Sequence, residues 1–363
     1  MVGIDLTPRE NVPRWLGYAT PIVTILLALS CGAVALLALG VNPLAAYWTM
    51  FGETLLGGFG RTQTLIKAIP LILTGLAVYL PLRAGLFNIG AEGQLVFGAI
   101  AGTWVALSVD LPGVLLLPLM FVAAGLAGAF LAGIPAWLRA KWDVNEIITS
   151  LLLTFVALQI QSYLVRGPLQ DPSGNFPHTA RLSAAATIPD VLFGVHAGIV
   201  VAVAAAVAVY LLVQKTTLGF EINFVGSNSA AATQAGMSRY KIYLLVFVIG
   251  GALAGLAGIS EIAGLQGRLR AGFEPGYGFT AIPIALLGRN SALNVMLAGL
   301  FFAVLFVGGS SMSVAFGVPA ALVEILQALI ILFLITAEFF KRYHVDIEFD
   351  RAADASATRG GEI

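Results

Sequence analysis

Charge is the first thing this sequence lacks. Only 10% of its 363 residues are Asp, Glu, Lys or Arg, and the 19 acidic and 19 basic side chains cancel. So little charge, with no net excess, offers no footprint for nucleic acid and none for a strongly acidic or basic partner. Cysteine is nearly missing too. Cys31 stands alone, which excludes an internal disulfide and a thiolate metal site. The three histidines, His178, His196 and His344, share no metal-ligand spacing. The chain holds no G-x-x-x-x-G-K-[ST] phosphate loop, no H-E-x-x-H pair and no G-x-S-x-G nucleophile turn. It therefore reads as a non-enzyme that binds no cofactor of its own, and any ATP chemistry would belong to another chain.

Apolar surface is what the chain has in abundance. Hydrophobic residues make up 59% of the sequence, and the mean hydropathy of +0.93 is far above that of soluble domains. Several runs reach the ~20 residues that cross ~30 Å of hydrocarbon. The pattern predicts helices at 21–41, 66–82, 84–107, 114–138, 146–165, 196–213, 242–263, 279–287, 293–308 and 320–340. The run at 279–287 is about half a crossing long and counts as half-buried. The expectation is an all-α polytopic membrane protein of about ten transmembrane helices, with interrupted glycine-rich segments. Its membrane domain covers 1–340, and a polar tail covers 341–363, the end of which is expected to be disordered. Residues 1–15 are polar and lack an A-x-A cleavage site, so the first span is expected to stay attached.

An even number of crossings puts both ends of the chain on one side. Of the 19 basic residues, 13 fall on that side and 6 on the other: Arg61, Lys67, Arg166, Arg181, Arg268 and Arg270. The positive-inside rule then makes both termini and the loop at 215–241 cytoplasmic, and the long loop at 166–195 external.

The run at 84–107 opens with Gly85, Gly90 and Gly93 among Asn88, Glu92 and Gln94. Glycines at that density interrupt a helix and admit other backbones closely. Freed backbone groups at membrane depth survive where they are buried in protein or line a wet cavity, so Asn88, Glu92 and Gln94 read as the wall of a polar pathway. Ionisable groups in spans are costly and are functional candidates by default, which adds Glu146, Glu261 and Glu324. Glu146 stands near the start of its run, where an interfacial role fits as well. Glu261 and Glu324 also suit pairing with polar groups inside the bundle. The string RAGLFNIGAEGQ from Arg83 resembles RAGFEPGYGFTA from Arg270. Five predicted spans apart, the two would face opposite sides of the membrane, as inverted repeats do around a central site. A chance match of two glycine-rich strings is the other reading.

The loop at 215–241 is too polar to cross. A short helix is expected at 230–235, started by Ser227 or Asn228 and ended by Gly236 as a left-handed cap. An ordinary connection and a docking helix for a cytoplasmic partner both fit this pattern.

Three strings carry a resemblance. GLFNIGAEGQ (85–94), VNEIITSLLLTFVA (144–157) and G-x-x-A-G-L-A-G (251–258) resemble the permeases of ABC importers for nucleosides and simple sugars, which are related to branched-chain amino acid permeases. The likeness runs over 65–337, nearly the whole membrane part. It implies that VGSNSAAATQAGMSRYK (225–241) docks on an ATPase, making Gly226, Ala231, Ala232, Gly236 and Arg239 docking candidates. Such loops usually carry a basic residue shortly before the V-G pair, where this chain has Asn223 and Phe224. The resemblance further implies cytoplasmic ABC ATPases that use ATP, a second permease (related or identical) and an extracellular solute-binding protein. The setting it implies is the lipid bilayer of a bacterial inner membrane. The extended outer loop looks most like the nucleoside branch. An ion-coupled secondary transporter using Glu92, Glu146 or Glu261 is the main alternative, and a passive channel is a third.

Overall fold

The computed structural model describes residues 2–8 and 14–349. Strand β1 (Val2–Pro8) precedes α1 (Arg14–Ala38). Then come α2 (Pro43–Tyr47), a π-helical turn at Trp48–Glu53, α3 (Thr54–Leu56), α4 (Gly58–Arg83), α5 (Ala91–Ser108), α6 (Gly113–Trp142) and α7 (Glu146–Arg166). The long connection after α7 carries a 3-10 turn and a small hairpin, β2 (Asp190–Leu192) and β3 (Val195–His196), before α8 (Gly198–Lys215). Two short helices follow, α9 (Thr217–Ser227) and α10 (Ser229–Gln234). Next are α11 (Arg239–Glu261), prolonged by a π turn at Ile262–Gln266, α12 (Tyr277–Leu287), α13 (Ala292–Phe316), α14 (Ala320–Arg342) and β4 (Tyr343–Phe349).

Every apolar run of the sequence falls on a helix. Among the described residues, six helices are long and apolar enough to cross a membrane: α4, α6, α7, α8, α11 with its π turn, and α13. Shorter apolar stretches lie at Val23–Ala38, Tyr277–Leu287 and Ala320–Ile330. Five expectations change. The run expected from 84 is non-helical until Ala91, because Gly85 (φ +77°) turns the chain out of α4. His196 lies in β3, ahead of α8, and Lys67 is inside α4 rather than in a connection. The loop at 215–241 holds α9 as well as α10. Part of the expected tail is β4, while 350–363 lie outside the described residues.

The chain forms two compact units. One is built from its ends: α1 packs on α14, and β1 pairs antiparallel with β4 from Val2↔Phe349 to Pro8↔Tyr343. Apolar residues alternate in both sequences (Val2, Ile4, Leu6; Val345, Ile347, Phe349), the period that suits a strand. The start of α1 and the end of α14 are thereby brought to the same end of this unit.

The other unit, 47–315, is organised around α11. Its glycines let three helices approach backbone to backbone. A Cβ on Gly250 would stand 2.6 Å from the Ala77 carbonyl of α4, one on Gly255 2.1 Å from the Ala124 carbonyl of α6, and one on Gly258 2.0 Å from the Leu95 carbonyl of α5. No side chain fits at such separations, so the glycine string is a packing device. Helix α7 turns its polar side inward: Glu146, Ser150, Thr154 and Gln161 are buried while Ile148, Leu152, Phe155 and Tyr163 are exposed. That is the arrangement of a helix that meets hydrocarbon on its outer side.

Candidate functional site: two interrupted helices meeting at a buried carboxylate

The two similar glycine-rich strings share a left-handed glycine ahead of a helix start, although Gly276 is itself left-handed and Gly90 is not. Gly85 and Gly272 take φ of +77° and +76°, and the helices that follow open after Gly90 and Gly276. Their first turns meet. A Cβ on Gly278 would lie 2.1 Å from the Glu92 backbone nitrogen, so only glycine allows the contact. Across it, Glu92 Oε1 accepts from the Gly276 N–H at 2.8 Å and Oε2 from the Gly278 N–H at 2.6 Å. Helix starts leave N–H groups without intrahelical partners and carry a partial positive charge. Glu92 meets both needs at once, sitting in the first turn of α5 while capping α12.

Asn88 and Gln94 hold the other side of this junction. Asn88 Nδ2 donates to Gln94 Oε1 at 2.9 Å, and Gln94 Nε2 returns the bond to Asn88 Oδ1 at 2.8 Å. Asn88 also reaches the Ala77 carbonyl at 3.4 Å. Asn88, Glu92 and Gln94 are each at most 1% exposed. Their polar groups are engaged inside the protein.

Glu261 belongs to a second buried cluster. Lys67 Nζ lies 3.7 Å from Glu261 Oε1 and also donates to the Tyr277 hydroxyl, while Gln266 Nε2 donates to the same Glu261 oxygen at 3.3 Å. The cluster joins α4, the end of α11 and the start of α12. Beside it, the buried His196 ring fills the space over Gly198 and Gly264. His196 Nδ1 accepts from the Gly198 N–H at 3.2 Å, so the ring is neutral with its hydrogen on Nε2. Burial holds this imidazole below its ordinary pKa, against Glu261 and Asp190, which favour the cation. Glu146 is paired with Arg139 (Nε to Oε2, 3.3 Å) and accepts from the Phe87 N–H at 3.4 Å. Glu324 is exposed on α14.

The short helices α9 and α10 are tied to this centre. Asn228 caps α10, its Oδ1 accepting from the Ala231 N–H at 2.9 Å, and Gly236 ends it at φ +83°. Ala231 is half-buried, and Gly236 and Arg239 are exposed. Ala232 is fully buried where α10 packs on α9 and α11, so this side chain serves the chain's own fold. Gly226 presses on the end of α4: a Cβ there would lie 2.1 Å from the Arg83 carbonyl. Arg83 itself donates through Nε to Asn223 Oδ1 at 2.7 Å and through Nη1 to the Arg289 carbonyl at 3.1 Å. Asn223 thus stands where a basic residue would face the Arg83 cation. One side chain at the end of α4 links α9 to the turn that follows α12.

Sequence reasoning missed Lys67, Arg83, Tyr277 and Gln266. For Lys67 the signal existed, a cation inside an apolar run, but its place near the run's start made it look like a loop charge. The partners of Glu92 gave no signal, because they are backbone amides.

A multi-helix membrane bundle whose interrupted helices meet at a buried charge has the build of a transport permease. The chain belongs to the family described as the branched-chain amino acid transport system / permease component, which matches residues 60–335. It is accordingly a membrane subunit of an ABC transporter, with no ATPase activity of its own. The glucose ABC transporter permease protein TsgB13 of Haloferax volcanii is 68% identical, over 99% of this chain and 98% of that protein. The guanosine ABC transporter permease protein NupP of Bacillus subtilis is 38% identical over 86% of this chain and 91% of its own length. The nucleoside ABC transporter permease protein NupB of Lactococcus lactis is 33% identical over 86% and 89%.

Proposed function

We propose that this chain forms part of the solute pathway of an ATP-driven importer in the cell membrane, carrying a small uncharged hydroxylated solute. Its working partners are cytoplasmic ABC ATPases, a second permease and an extracellular solute-binding protein. The observation that carries this reading is the likeness to a glucose permease along almost the full length of both proteins. A hexose is the preferred solute on that ground. The guanosine and nucleoside permeases, at lower identity, favour a nucleoside as the second reading.

The chain crosses the membrane ten times with both ends in the cytoplasm. The pairing of β1 with β4 supports this, since it gathers both ends of the chain together. The glycine-rich strings are the corresponding parts of an inverted repeat; the matched left-handed glycines and helix starts support that pairing. Closure of the ATPases on ATP presses on the exposed face of α10, and α9 passes the movement to Arg83. Arg83, at the end of α4, receives it from Asn223 and carries it to the turn after α12 through the Arg289 carbonyl. Glu92 acts as a positioning residue that keeps the starts of α5 and α12 together while they move. Glu92, Glu146 and Glu261 are each held by amides, Arg139 or Lys67, which suits anchoring better than the loading and release of an ion.

The test is uptake of labelled glucose by cells carrying the complete transporter, with guanosine as competitor. Uptake should need ATP, survive collapse of the ion gradients and resist excess guanosine. Competition by guanosine would select the second reading. Uptake that follows the ion gradient and ignores ATP would end both.

A further inference from the structure

The long connection after α7 folds onto the segment between the π turn and α12. Thr179 N donates to Leu269 O, Leu182 N to Gly267 O and Ala271 N to Pro177 O, each at 2.9 Å. From α7, the buried Gln161 donates to the Arg270 carbonyl and accepts from the Gly272 N–H. Between the two pieces of chain lies an open cavity of about 380 Å³, lined by Phe176, Pro177, His178, Arg268, Arg270 and Ala271.

This cavity carries two arginines, and neither is ion-paired among the described residues. Arg268 Nη1 donates to His178 Nε2 at 3.2 Å, which leaves the His178 hydrogen on Nδ1, facing the Thr179 carbonyl at 3.2 Å. The Arg270 side chain is exposed. Among the described residues, no carboxylate lies within ion-pair distance of either guanidinium. Asp171, close enough to feel Arg268, has its Oδ1 held by the Ser173 N–H at 2.9 Å and hydroxyl at 2.7 Å. Two like charges beside one cavity repel unless an anion comes between them. The lining is accessible: Phe176 is 72% exposed. Arginine with exposed aromatic groups is the composition of protein-binding surfaces, whereas small solutes are taken into enclosed pockets.

We propose that this cavity is the docking surface for an acidic face of the solute-binding protein, a carboxylate side chain entering between Arg268 and Arg270. The proposal rests on the importer reading, with the connection at 166–195 outside the cell. Charged docking of this kind governs encounter and register, and salt weakens it.

The test uses the complete transporter in nanodiscs, with its purified solute-binding protein as the probe. Arg270→Glu should weaken binding by about 10-fold or more at low salt, and the loss should shrink as salt rises. The pair Arg268→Glu with Arg270→Glu should weaken it further, and Phe176→Ala should weaken it at all salt concentrations. The variants should still co-purify with the ATPase and keep its basal hydrolysis. Because the Arg270 side chain is exposed, the single variant decides the matter if the double one fails to fold. Unchanged affinity of Arg270→Glu, where the parent binds, overturns this proposal. Lost uptake with unchanged protein binding would make the cavity a solute entrance and also overturns it. A parent that binds no solute-binding protein overturns the importer reading instead.

Discussion

Glu92 is where single-residue chemistry bears most directly on the architecture. Both of its oxygens accept N–H groups at the start of α12 that have no other acceptor among the described residues. Glu92→Gln turns one acceptor into a donor facing a donor, and Glu92→Ala leaves two amides bare. A buried donor without a partner costs about 1–3 kcal/mol. Folded yield and melting temperature should fall in the order parent, Gln, Ala; variants that both melt with the parent would show that Glu92 holds nothing. His196 adds a pH dependence. Its pKa is ordinary, about 6.5, in the unfolded chain and lower in the folded one. The unfolded state therefore takes up the proton first, so this contribution to stability is complete above about pH 6.5 and is lost as pH falls towards the folded value. Melting temperature should drop between pH 7 and 5, and His196→Phe should flatten that slope. An unchanged slope would dismiss the ring as its source. The buried side chains Asn88, Glu92 and Gln94 stood out in the sequence because polar groups inside an apolar run are costly. Their partners did not, since Gly276 and Gly278 act through amides that every residue has.

At the scale of elements, local chemistry was readable and tertiary support was not. The Asn228 cap and the left-handed Gly236 define α10 from neighbouring residues alone. Helix α9 was missed although Thr216 Oγ1 caps its start locally, accepting from the Gly219 N–H at 3.1 Å, because its tertiary support is distant: Arg83 on Asn223, and the Arg83 carbonyl against Gly226. This bridge is open to test. Arg83→Ala removes the charged donor while leaving the surface of α10 intact. Uptake should fall by about 10-fold or more, the effect of ~1.4 kcal/mol, while the ATPase still co-purifies and hydrolyses ATP. Uptake and hydrolysis that fall together would show Arg83 to be a docking or folding residue. Parental uptake would remove it from the coupling route.

For the whole molecule, hydropathy gave the helices, because hydrocarbon thickness sets a length that irregular structure cannot imitate. The proposed sidedness rests on charge counting and is testable with single cysteines. Cys31 is exposed and must first be replaced. In that background, Asn175→Cys should react with an impermeant thiol reagent in intact cells, and Gln234→Cys only after permeabilisation. Equal labelling of the two in intact cells would exclude the ten-crossing arrangement. The meeting of α5 with α12 has one further consequence, for the time course of isotope exchange. Gly276 and Gly278 stand at a helix start, where amide hydrogens ordinarily swap with deuterium quickly for want of an acceptor. Here both point at a carboxylate sealed from water. They should exchange as slowly as amides in the middle of α11, so their sudden loss of protection during turnover would time the separation of the two helix starts.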